Sequence, residues 1–576
     1  MEYKTENRVC QNCKKDFIIE PDDFSFYEKM KVPPPTFCPE CRLIRRFARR
    51  NEKALYHRVC EKCGEKIISV FEEESGVHVY CSKCWASDSL DSMLHGVDFD
   101  SSLIFLKQLD GLFHKVPIMN LFTLYTTMVN SDYTNMVSWL KNCYMVTYSD
   151  YGENLIYGSF VNHSRDSVDN LMGKEIELCY ETINCSNCYR CFYSVDCESC
   201  SDVWFSRNCT GCNNCFGCIN LRNKSYYIFN QPYNKEEYEI KIKEYTPLCH
   251  KTINEIKSLN KELLLNSPQK YIHGWRNVDS YGDYLNDTKN AKRCFIGFNI
   301  EDSKFCSFVT GKMTDTYDFV NFGESSSLMY EVLQGGNQSS NNRMCQWAIT
   351  NCRNLEYCLF CENSHDLFGC VGLKKQQYCI LNKQYTKEEY FLLREKIIKN
   401  MNEMPYVDKM GNIYKYGEFF PIEESPFAYN DTTAQEFFPL NKEEALKQGY
   451  KWHDKEARKY NIDIKNEDIP LYIINVDDDI LGKVIECSHK GDCNHQCTEA
   501  FKIVPEELSF YKRMGLPLPH LCPNCRHYER LSQRNPMKLW HRSCMKQGCE
   551  NEFETSYSPD RPEIVYCEKC YQQEVY

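Results

Sequence analysis

Cysteine spacing constrains this chain more than any other feature of its sequence. The 576 residues include 37 cysteines, and those near the two ends occur in pairs whose separations repeat. Both Cys13–Cys38 and Cys497–Cys522 span 25 positions, and the next two gaps, of 19 and 18 positions, also agree between the ends. Self-similarity of this kind predicts that residues 1–95 and 481–576 are two copies of one unit.

The paired cysteines predict metal binding in a reducing compartment. The first six residues, Met1 to Glu6, lack the apolar core of a secretory signal. No stretch approaches the roughly 18 apolar residues of a membrane span. Without a secretory signal, closely spaced cysteine pairs favour metal over disulfides. Two such pairs complete one tetrahedral site, so we expect a cytoplasmic protein that holds about four zinc ions.

Combining adjacent pairs assigns the ligands of four double-pair sites. The predicted quartets are Cys10, Cys13, Cys38 and Cys41; Cys60, Cys63, Cys81 and Cys84; Cys493, Cys497, Cys522 and Cys525; and Cys544, Cys549, Cys567 and Cys570. Cys487, His489 and His495 compete as ligands of the third site. Closed all-cysteine sites are typically structural, because catalytic zinc keeps an open coordination position. Such a site contributes about 10–16 kcal/mol to the folding of a small domain.

The N-terminal unit resembles a known kind of module. The run from Cys10 through Phe17 and Phe26-Tyr27 to Cys38-Pro39-Glu40-Cys41-Arg42 resembles the zinc-ribbon, treble-clef modules of bacterial proteins. The wider layout, zinc pairs around a cysteine-rich middle, resembles uncharacterised zinc-binding proteins of candidate phyla radiation bacteria. The resemblance implies a treble-clef fold and bound zinc, and it implies no particular activity.

Basic residues follow the second cysteine pair at each end. They are Arg42, Arg45, Arg46, Arg49, Arg50 and Lys53 in the first copy, and Arg526, Arg530 and Arg534 in the second. Their spacing of three and four predicts one face of a helix. Guanidinium groups in line suit phosphate, so contact with nucleic acid is one hypothesis. Docking on a protein partner or within the chain is another, since the chain contains 81 acidic residues and a net charge of −12. A simply solvated face is the third.

The middle of the chain predicts a duplicated β-solenoid. Within Cys179–Cys218 every separation between cysteines is a multiple of three, and part of the pattern recurs after 24 residues. A fixed recurrence with this period is typical of stacked solenoid coils. The segment Leu221–Asn230 then reappears 152 positions later as Leu373–Asn382. We expect two lobes, each with a capping helix, at 120–268 and 269–403.

Connecting segments complete the predicted fold, which is mainly β with short helices. Residues 96–119 are predicted as a helical connector, and 404–480 as an aromatic-rich linker that packs on the solenoid and contains a short helix from Lys442 to Gln448. The middle cysteines are interpreted as buried packing residues, since cysteine is small and often buried. A metal cluster and disulfides are the alternatives.

No catalytic motif is recognisable in the sequence. It contains no Gly-x-Ser-x-Gly, no His-Glu-x-x-His and no phosphate loop. His57 and His541 precede matching cysteine pairs and are interpreted as supporting residues. The sequence therefore favours a non-enzymatic zinc-binding scaffold or interaction protein. The alternative is carbohydrate binding or cleavage on the solenoid, with candidate carboxylates at corresponding places in the two copies: Asp166, Asp169, Asp315 and Asp318.

Overall fold

The computed structural model describes residues 3–454 and 460–576. Its fold is mainly β, with 29% of residues in strands and 25% in helices. The strand fraction understates the β character, because many further residues pair through isolated parallel bridges. The α-helices in the described residues are short, and the longest has 17 residues. None of them combines the length and apolarity that crossing a bilayer requires.

The N-terminal module (residues 3–95) consists of two similar halves, each with a β-hairpin followed by helix. The first half continues from its hairpin into two helices that both begin with proline, a residue tolerated at the first helical position. The elements, in order, are strands Glu6–Val9 and Asp16–Ile19, helices Pro21–Lys29 and Pro39–Phe47, strands Tyr56–Val59, Lys66–Ser69 and Val79–Tyr80, and helix Ser82–Ala86.

The C-terminal module (residues 481–576) repeats this order of elements, which agrees with the duplication predicted from the cysteine gaps. Its two helices of the first half also begin with proline. The elements are strands Ile485–Glu486 and Ala500–Phe501, helices Pro505–Met514 and Pro523–Ser532, strands Trp540–Ser543, Glu552–Thr555 and Val565–Tyr566, and helix Glu568–Val575.

The first stack (residues 123–228) is built from parallel rungs. From Val129 onward, bridged partners lie 12 residues apart, so the recurrence of 24 seen in the sequence spans two rungs. Every third residue along most of this stack has a positive φ. That conformation costs about 1–2 kcal/mol for residues other than glycine. Asparagine and aspartate tolerate it best, and their side chains bond from rung to rung, as Asn130 does to Asn142 at 3.1 Å.

The extended segments of the first stack are short, and the chain turns after each. They are Ser138–Lys141, Asp150–Ile156, Ser159–Asn162, Arg165–Val168, Leu171–Lys174, Ser201–Trp204, Asn213–Phe216 and Ser225–Ile228. The residue with a positive φ turns the chain, and an inward-facing residue follows each such residue. This arrangement explains the period of three noted in the sequence.

Small side chains fill the inside of the first stack. The Cys185 thiol donates to the carbonyl oxygens of Ile183 and Ser194, both at 3.5 Å. The Ser194 hydroxyl, nine residues later, makes the same two contacts, to the carbonyl oxygens of Phe192 and Val203, both at 3.0 Å. Cysteine and serine thus play the same part here, which supports the packing interpretation of the middle cysteines.

The second stack (residues 274–380) is also parallel, but its rungs are less regular. Partners are 11 residues apart at Gly274–Leu285, 12 at Lys289–Glu301 and 13 at Met313–Ser326. Its strands are longer, reaching 10 residues. They are Gly274–Trp275, Tyr281–Asn286, Lys289–Phe298, Ile300–Lys304, Ser307–Val309, Met313–Val320, Ser326–Leu333, Ser340–Gln346, Arg353–Glu356, His365–Phe368 and Gln377–Ile380.

Each stack ends in a short antiparallel strand, which the sequence pattern does not predict, followed by the predicted charged helix. The first stack is followed by strand Gln231–Pro232 and helices Lys235–Ile242 and His250–Leu265, the second by strand Lys383–Gln384 and helix Lys387–Glu403. Reciprocal hydrogen bonds between Asn234 and Glu237, and between Thr386 and Glu389, form a capping box at the start of each helix.

The segments outside the stacks and modules are mostly buried against them. The connector contains helix Phe105–Phe113 and strand Ile118–Met119, and strand Gln269–Lys270 precedes the second stack. Residues 404–454 contain strands Tyr406–Val407 and Ile413–Tyr414 and helices Thr433–Phe437 and Lys442–Lys447, the last one confirming a predicted helix. Aromatic residues of this segment share one buried cluster with the N-terminal module and the second stack: Tyr414, Phe419, Phe420, Phe427 and Tyr429. Residues 455–459 of the predicted linker lie outside the described ranges.

Candidate metal centres and the interfaces beside them

The N-terminal module gathers its eight paired cysteines into two quartets. The thiol sulfurs of Cys10, Cys13, Cys38 and Cys41 lie within 4.8 Å of one another, as do those of Cys60, Cys63, Cys81 and Cys84. Neighbouring sulfurs are 3.7 Å apart in Cys13–Cys38 and 3.9 Å apart in Cys63–Cys81. Four thiolates at the usual zinc–sulfur distance of ~2.3 Å are separated by about 3.8 Å in a tetrahedron. Both quartets therefore fit one tetrahedral metal ion.

Backbone amides donate hydrogen bonds to these sulfurs and so favour metal binding. Cys38 caps helix Pro39–Phe47, so its sulfur accepts from the Cys41 amide at 3.5 Å, while its own amide donates to the Cys10 sulfur at 3.2 Å. Thiol donors from Cys38 and Cys41 lower the pKa of Cys10 well below its ordinary value. Burial raises the pKa of Cys60, but several backbone amides outweigh burial and lower it to about 7. The lowered pKa of Cys10 and Cys60 favours the thiolate, which is the form that binds metal, while the contact with Cys10 raises the pKa of Cys38 and of Cys41.

The last quartet repeats the second N-terminal one. Cys544, Cys549, Cys567 and Cys570 gather within 4.8 Å, and the Cys549 and Cys567 sulfurs are 3.9 Å apart. The Cys567 amide donates to the Cys544 sulfur at 3.3 Å, as the Cys81 amide does to Cys60 at 3.2 Å. The wider spacing of Cys544 and Cys549 does not change the arrangement.

The third quartet contains a different residue from the one that spacing predicts. Its members are Cys487, Cys497, Cys522 and Cys525, with Cys487 where we expect Cys493. Cys487 follows strand Ile485–Glu486 and accepts from the Cys522 amide at 3.3 Å, which repeats the contact between Cys10 and Cys38. Counting back from Cys497 to the nearest cysteine misses it, because a long loop separates the two ligands.

Cys493 lies beside this quartet with two histidines. His489, Cys493, His495 and Cys525 offer ligand atoms within 4.8 Å of one another, and the sulfurs of Cys493 and Cys525 are 3.7 Å apart. The Nδ1 atoms of both histidines are buried and have no hydrogen-bond partner in the described residues. Cys525 thus belongs to two groups of potential ligands.

The N-terminal basic residues are buried rather than exposed. The helix that begins at Pro39 ends at Phe47, so Arg49, Arg50 and Lys53 lie beyond the predicted helical face. Beyond the helix, the Asn51 side chain bonds to the backbone of Ala54 and of Val70. The five arginines are at most 4% exposed: Arg42, Arg45, Arg46, Arg49 and Arg50. Lys53 is partly exposed and pairs with Glu436 at 2.9 Å.

Three of these arginines meet three buried carboxylates. Asp318 accepts from Arg42 at 3.0 Å and from Arg46 at 2.9 Å. Arg45 donates to Glu331 at 2.7 Å and to Glu418 at 3.2 Å. Burial raises the pKa of Glu418, although Arg45 opposes that rise. The helix is thereby fixed to the second stack by a cluster of matched charge, which favours the intramolecular alternative among the three predicted roles.

The C-terminal module repeats this contact on the other stack. Arg530 pairs with Asp169 at 3.0 Å and with Glu181 at 2.6 Å, and Arg526 pairs with Asp169 and, at 3.2 Å, with Glu507. The guanidinium of Arg534 lies 3.9 Å from the ring centroid of Tyr284. All three arginines are at most 8% exposed.

The docking of the two modules is therefore crossed. The arginine helix of the N-terminal module packs on the second stack, and that of the C-terminal module packs on the first. The other half of each module adds a strand to the segment before the remaining stack: Val79–Tyr80 pairs with Ile118–Met119, and Val565–Tyr566 with Gln269–Lys270. Each module thus connects both stacks.

The carboxylates suggested for carbohydrate chemistry are not grouped. Asp169 and Asp318 are fully buried in the arginine clusters. Asp166 accepts from Asn154 at 2.9 Å, and Asp315 pairs with Lys29 at 3.0 Å. None of the four lines the large cleft between the stacks.

That cleft has a volume of about 1070 Å³ and is lined by both stacks and the C-terminal module. Side-chain amides such as Asn184, Asn208 and Asn286 line it together with Trp275 and Tyr571. Trp275 is 43% exposed and lies under the Arg276 guanidinium, 3.8 Å from its ring centroid. Amides and a partly exposed indole make this a polar surface with an aromatic platform.

Comparisons with known proteins identify no family for this chain. The chain matches no protein-family model, and no curated protein is significantly similar to it. The function therefore has to be argued from the sites themselves.

Proposed function

We propose that this protein is a non-enzymatic, zinc-stabilised scaffold of the cytoplasm. Its terminal modules are zinc-ribbon or treble-clef units that bind structural zinc, and they flank a duplicated β-solenoid formed by the two stacks. The observation that carries the proposal is the set of four closed cysteine quartets, with sulfurs spaced for tetrahedral metal. Much of the apolar surface of each module is buried in clusters shared with the stacks, so bound zinc would supply much of the stability that a module has by itself.

The zinc sites would position the arginines that form the buried clusters. The second cysteine pair of each first half, Cys38/Cys41 or Cys522/Cys525, begins the helix that carries the arginines. A metal ion there would fix the start of the helix and so the line of guanidinium groups that enters the opposite stack. We infer that zinc binding locks the two solenoid lobes into one body around the central cleft. Binding of a partner's phosphate groups would need exposed guanidinium groups, and the guanidinium groups of these arginines are buried.

Metal analysis of the full-length chain tests the proposal. We expect at least four zinc ions per chain after purification without added metal, and loss of one ion in Cys38→Ser and in Cys522→Ser. Cys197→Ser is the matched control, because Cys197 is a buried cysteine of the first stack outside the metal-compatible groups. An undiminished zinc count in the Cys38→Ser chain, or fewer than four ions in the natural one, would overturn the assignment.

Carbohydrate binding in the cleft is a second candidate function. It is favoured by the cleft between the stacks, with its amide side chains and the partly exposed Trp275. An array of oligosaccharides probed with the full chain should give a salt-insensitive signal that Trp275→Ala abolishes. Trp139→Ala is the matched control, since Trp139 is 50% exposed on the first stack and stacks on Tyr151 outside the cleft. Equal loss in both variants, or no signal with any glycan, would remove this candidate.

A further inference from the structure

The loop between the first two ligands is the main difference between the modules near their first metal site. In the N-terminal module Cys10 and Cys13 are separated by Gln11 and Asn12 alone. In the C-terminal module, residues 488–496 intervene between Cys487 and Cys497. The flanking contacts are unchanged, because the amides of Cys38 and Cys522 donate to the sulfurs of Cys10 and Cys487 at 3.2 and 3.3 Å. The longer loop is thus an insertion into an otherwise conserved arrangement of the two copies.

The inserted loop carries three ligand types of its own. His489, Cys493 and His495 converge on Cys525, within 4.8 Å of one another. Two imidazoles and two thiolates form a donor set that zinc commonly takes in tetrahedral sites. At the equivalent place in the N-terminal module, the Asn12 amide donates to the Cys41 sulfur at 3.5 Å. In the N-terminal module, the Cys41 sulfur is therefore contacted by a neutral hydrogen-bond donor. In the C-terminal module, the loop brings further metal ligands to the equivalent place.

The two histidines are held in position to bind. Their Nδ1 atoms are buried and lack a hydrogen-bond partner among residues 3–454 and 460–576. Buried polar atoms without a partner are rare and call for an explanation, and an ion that the structure does not include is one. The His495 ring stacks on Tyr528 of helix Pro523–Ser532, with centroids 5.2 Å apart and planes at 4°. The His489 and His495 ring centroids are 5.4 Å apart, so one ion could lie between the two rings.

Cys525 completes both donor sets. Its sulfur is 4.0 Å from that of Cys487 and 3.7 Å from that of Cys493. A thiolate has more than one lone pair and can bind two ions at once. A single zinc ion among four thiolates leaves a net charge of −2, whereas two ions among five thiolates leave −1. The second ion would therefore reduce the negative charge of the site.

We propose that the C-terminal module binds a second metal ion through His489, Cys493 and His495, with Cys525 bridging it to the ion of the Cys487 quartet. The site takes a divalent, tetrahedral, thiolate- and imidazole-binding ion such as zinc. The proposal rests on the proposed function, since the bridged ion belongs to one of the structural quartets. With it, the chain holds five ions rather than four.

Metal counting with matched variants of the full chain tests the site. We expect five zinc ions in the natural protein and four in the double variant H489A/H495A. The control double variant is H57A/H541A, because His57 and His541 are exposed and lie outside the metal-compatible groups; it should keep five. Cys525→Ser should lose two ions, whereas the equivalent Cys41→Ser should lose one. Four ions in both the natural protein and H489A/H495A would overturn this inference and leave the proposed function standing, while fewer than four would overturn the proposed function itself.

Cadmium-113 nuclear magnetic resonance distinguishes a bridged pair from two ligand sets that compete for one ion. In the fully cadmium-substituted chain we expect one resonance from an S₂N₂ site, coupled to one all-sulfur resonance through Cys525. Both the S₂N₂ resonance and the coupling should be absent from H489A/H495A and present in H57A/H541A. An S₂N₂ resonance without coupling would overturn the bridge, and its absence from the natural chain would overturn the site.

Discussion

The two terminal modules share their scaffold and differ at its edges. In both, two cysteine quartets, a proline-initiated helix and a buried arginine cluster occupy equivalent positions. They differ in the inserted loop 488–496 and in the residues that their second halves contact. Phe71 stacks on Phe427 with centroids 5.3 Å apart, whereas the equivalent Tyr557 bonds to His273 at 3.2 Å. The parts that hold metal and connect the stacks are thus common to both copies, and the surrounding contacts have diverged.

The clusters also differ in charge balance. In the N-terminal cluster three arginines face Asp318, Glu331 and Glu418. In the C-terminal cluster two arginines face Asp169, Glu181 and Glu507. Burial raises the pKa of Glu181 and of Glu507, although the arginines oppose that rise. The C-terminal interface therefore carries an excess of acidic groups that the N-terminal one does not.

The largest expected effect is the loss of the quartet ion, which should follow substitution of Cys487 but not of Cys493. Cys10→Ser and Cys487→Ser should each lose the quartet ion and destabilise their module by several kcal/mol, a large part of the roughly 10–16 kcal/mol of a structural zinc site. Cys493→Ser should keep the quartet ion. Zinc content and calorimetric unfolding of the three variants measure this difference. Retention of the quartet ion in Cys487→Ser would show that Cys493 is the true ligand and that the two modules are not equivalent.

Breaking an arginine cluster should have the next largest effect. Arg46→Ala leaves Asp318 and Glu331 buried with fewer partners, and removing one partner of a buried ion pair costs about 3–5 kcal/mol. Arg530→Ala should cost a similar amount at neutral pH. Because Glu181, a direct partner of Arg530, already has a raised pKa, the cost of Arg530→Ala should fall more on acidification than that of Arg46→Ala. Urea unfolding of both variants at two pH values tests this contrast; Arg513→Ala, at an exposed position, is the control.

These two predictions also show what the sequence could and could not specify. Spacing alone identifies fifteen of the sixteen quartet ligands that the structure groups, as well as the charged helices after each stack. Spacing assigns Cys493 to the third quartet and leaves Cys487 as a competing ligand, because an insertion hides the equivalence of Cys487 with Cys10. It also leaves the arginines unassigned, since Arg46 and Asp318 are 272 residues apart and no local pattern relates them. The rung of 12 residues is missed because the inward positions vary among cysteine, serine and aliphatic residues such as Leu140 and Ile176.

A smaller effect concerns pH and the contact that differs between the modules. Burial alone would lower the pKa of His273, but Asp283 outweighs burial and raises it above 6.5; Asp196 raises it further and Arg207 opposes. A histidine with a raised pKa stabilises the fold fully below its unfolded pKa, and this contribution is lost as the pH rises through the folded value. The C-terminal contact should therefore weaken above neutral pH, by about the 1.5–3 kcal/mol of a charged hydrogen bond.

Hydrogen exchange, corrected for its intrinsic pH dependence, measures this weakening at the paired strands. Protection of Gln269–Lys270 should decrease from roughly pH 6 to pH 9, while that of Ile118–Met119 beside Phe71 should not. His273→Gln should remove the pH dependence at the first pair. The same pH response at both strand pairs would contradict the assignment to His273.

The smallest expected effect belongs to the cysteines of the stacks. Cys197→Ser should change stability by about 1 kcal/mol or less, because Ser194 and Ser206 already occupy equivalent inward positions with hydrogen bonds to backbone carbonyls. Metal content should be unchanged. Loss of an ion in this variant would mean that the stacks, as well as the modules, bind metal.

The crossed docking has a consequence for how the chain is made. The N-terminal helix leaves the ribosome long before its acceptors, since 276 residues separate Arg42 from Asp318. Until then its guanidinium groups have to remain hydrated, although the module around them can already take up metal. Contacts this distant in sequence form late and slowly. The first module completed during synthesis is thus among the last to reach its final place, and it can do so only after the second lobe has emerged.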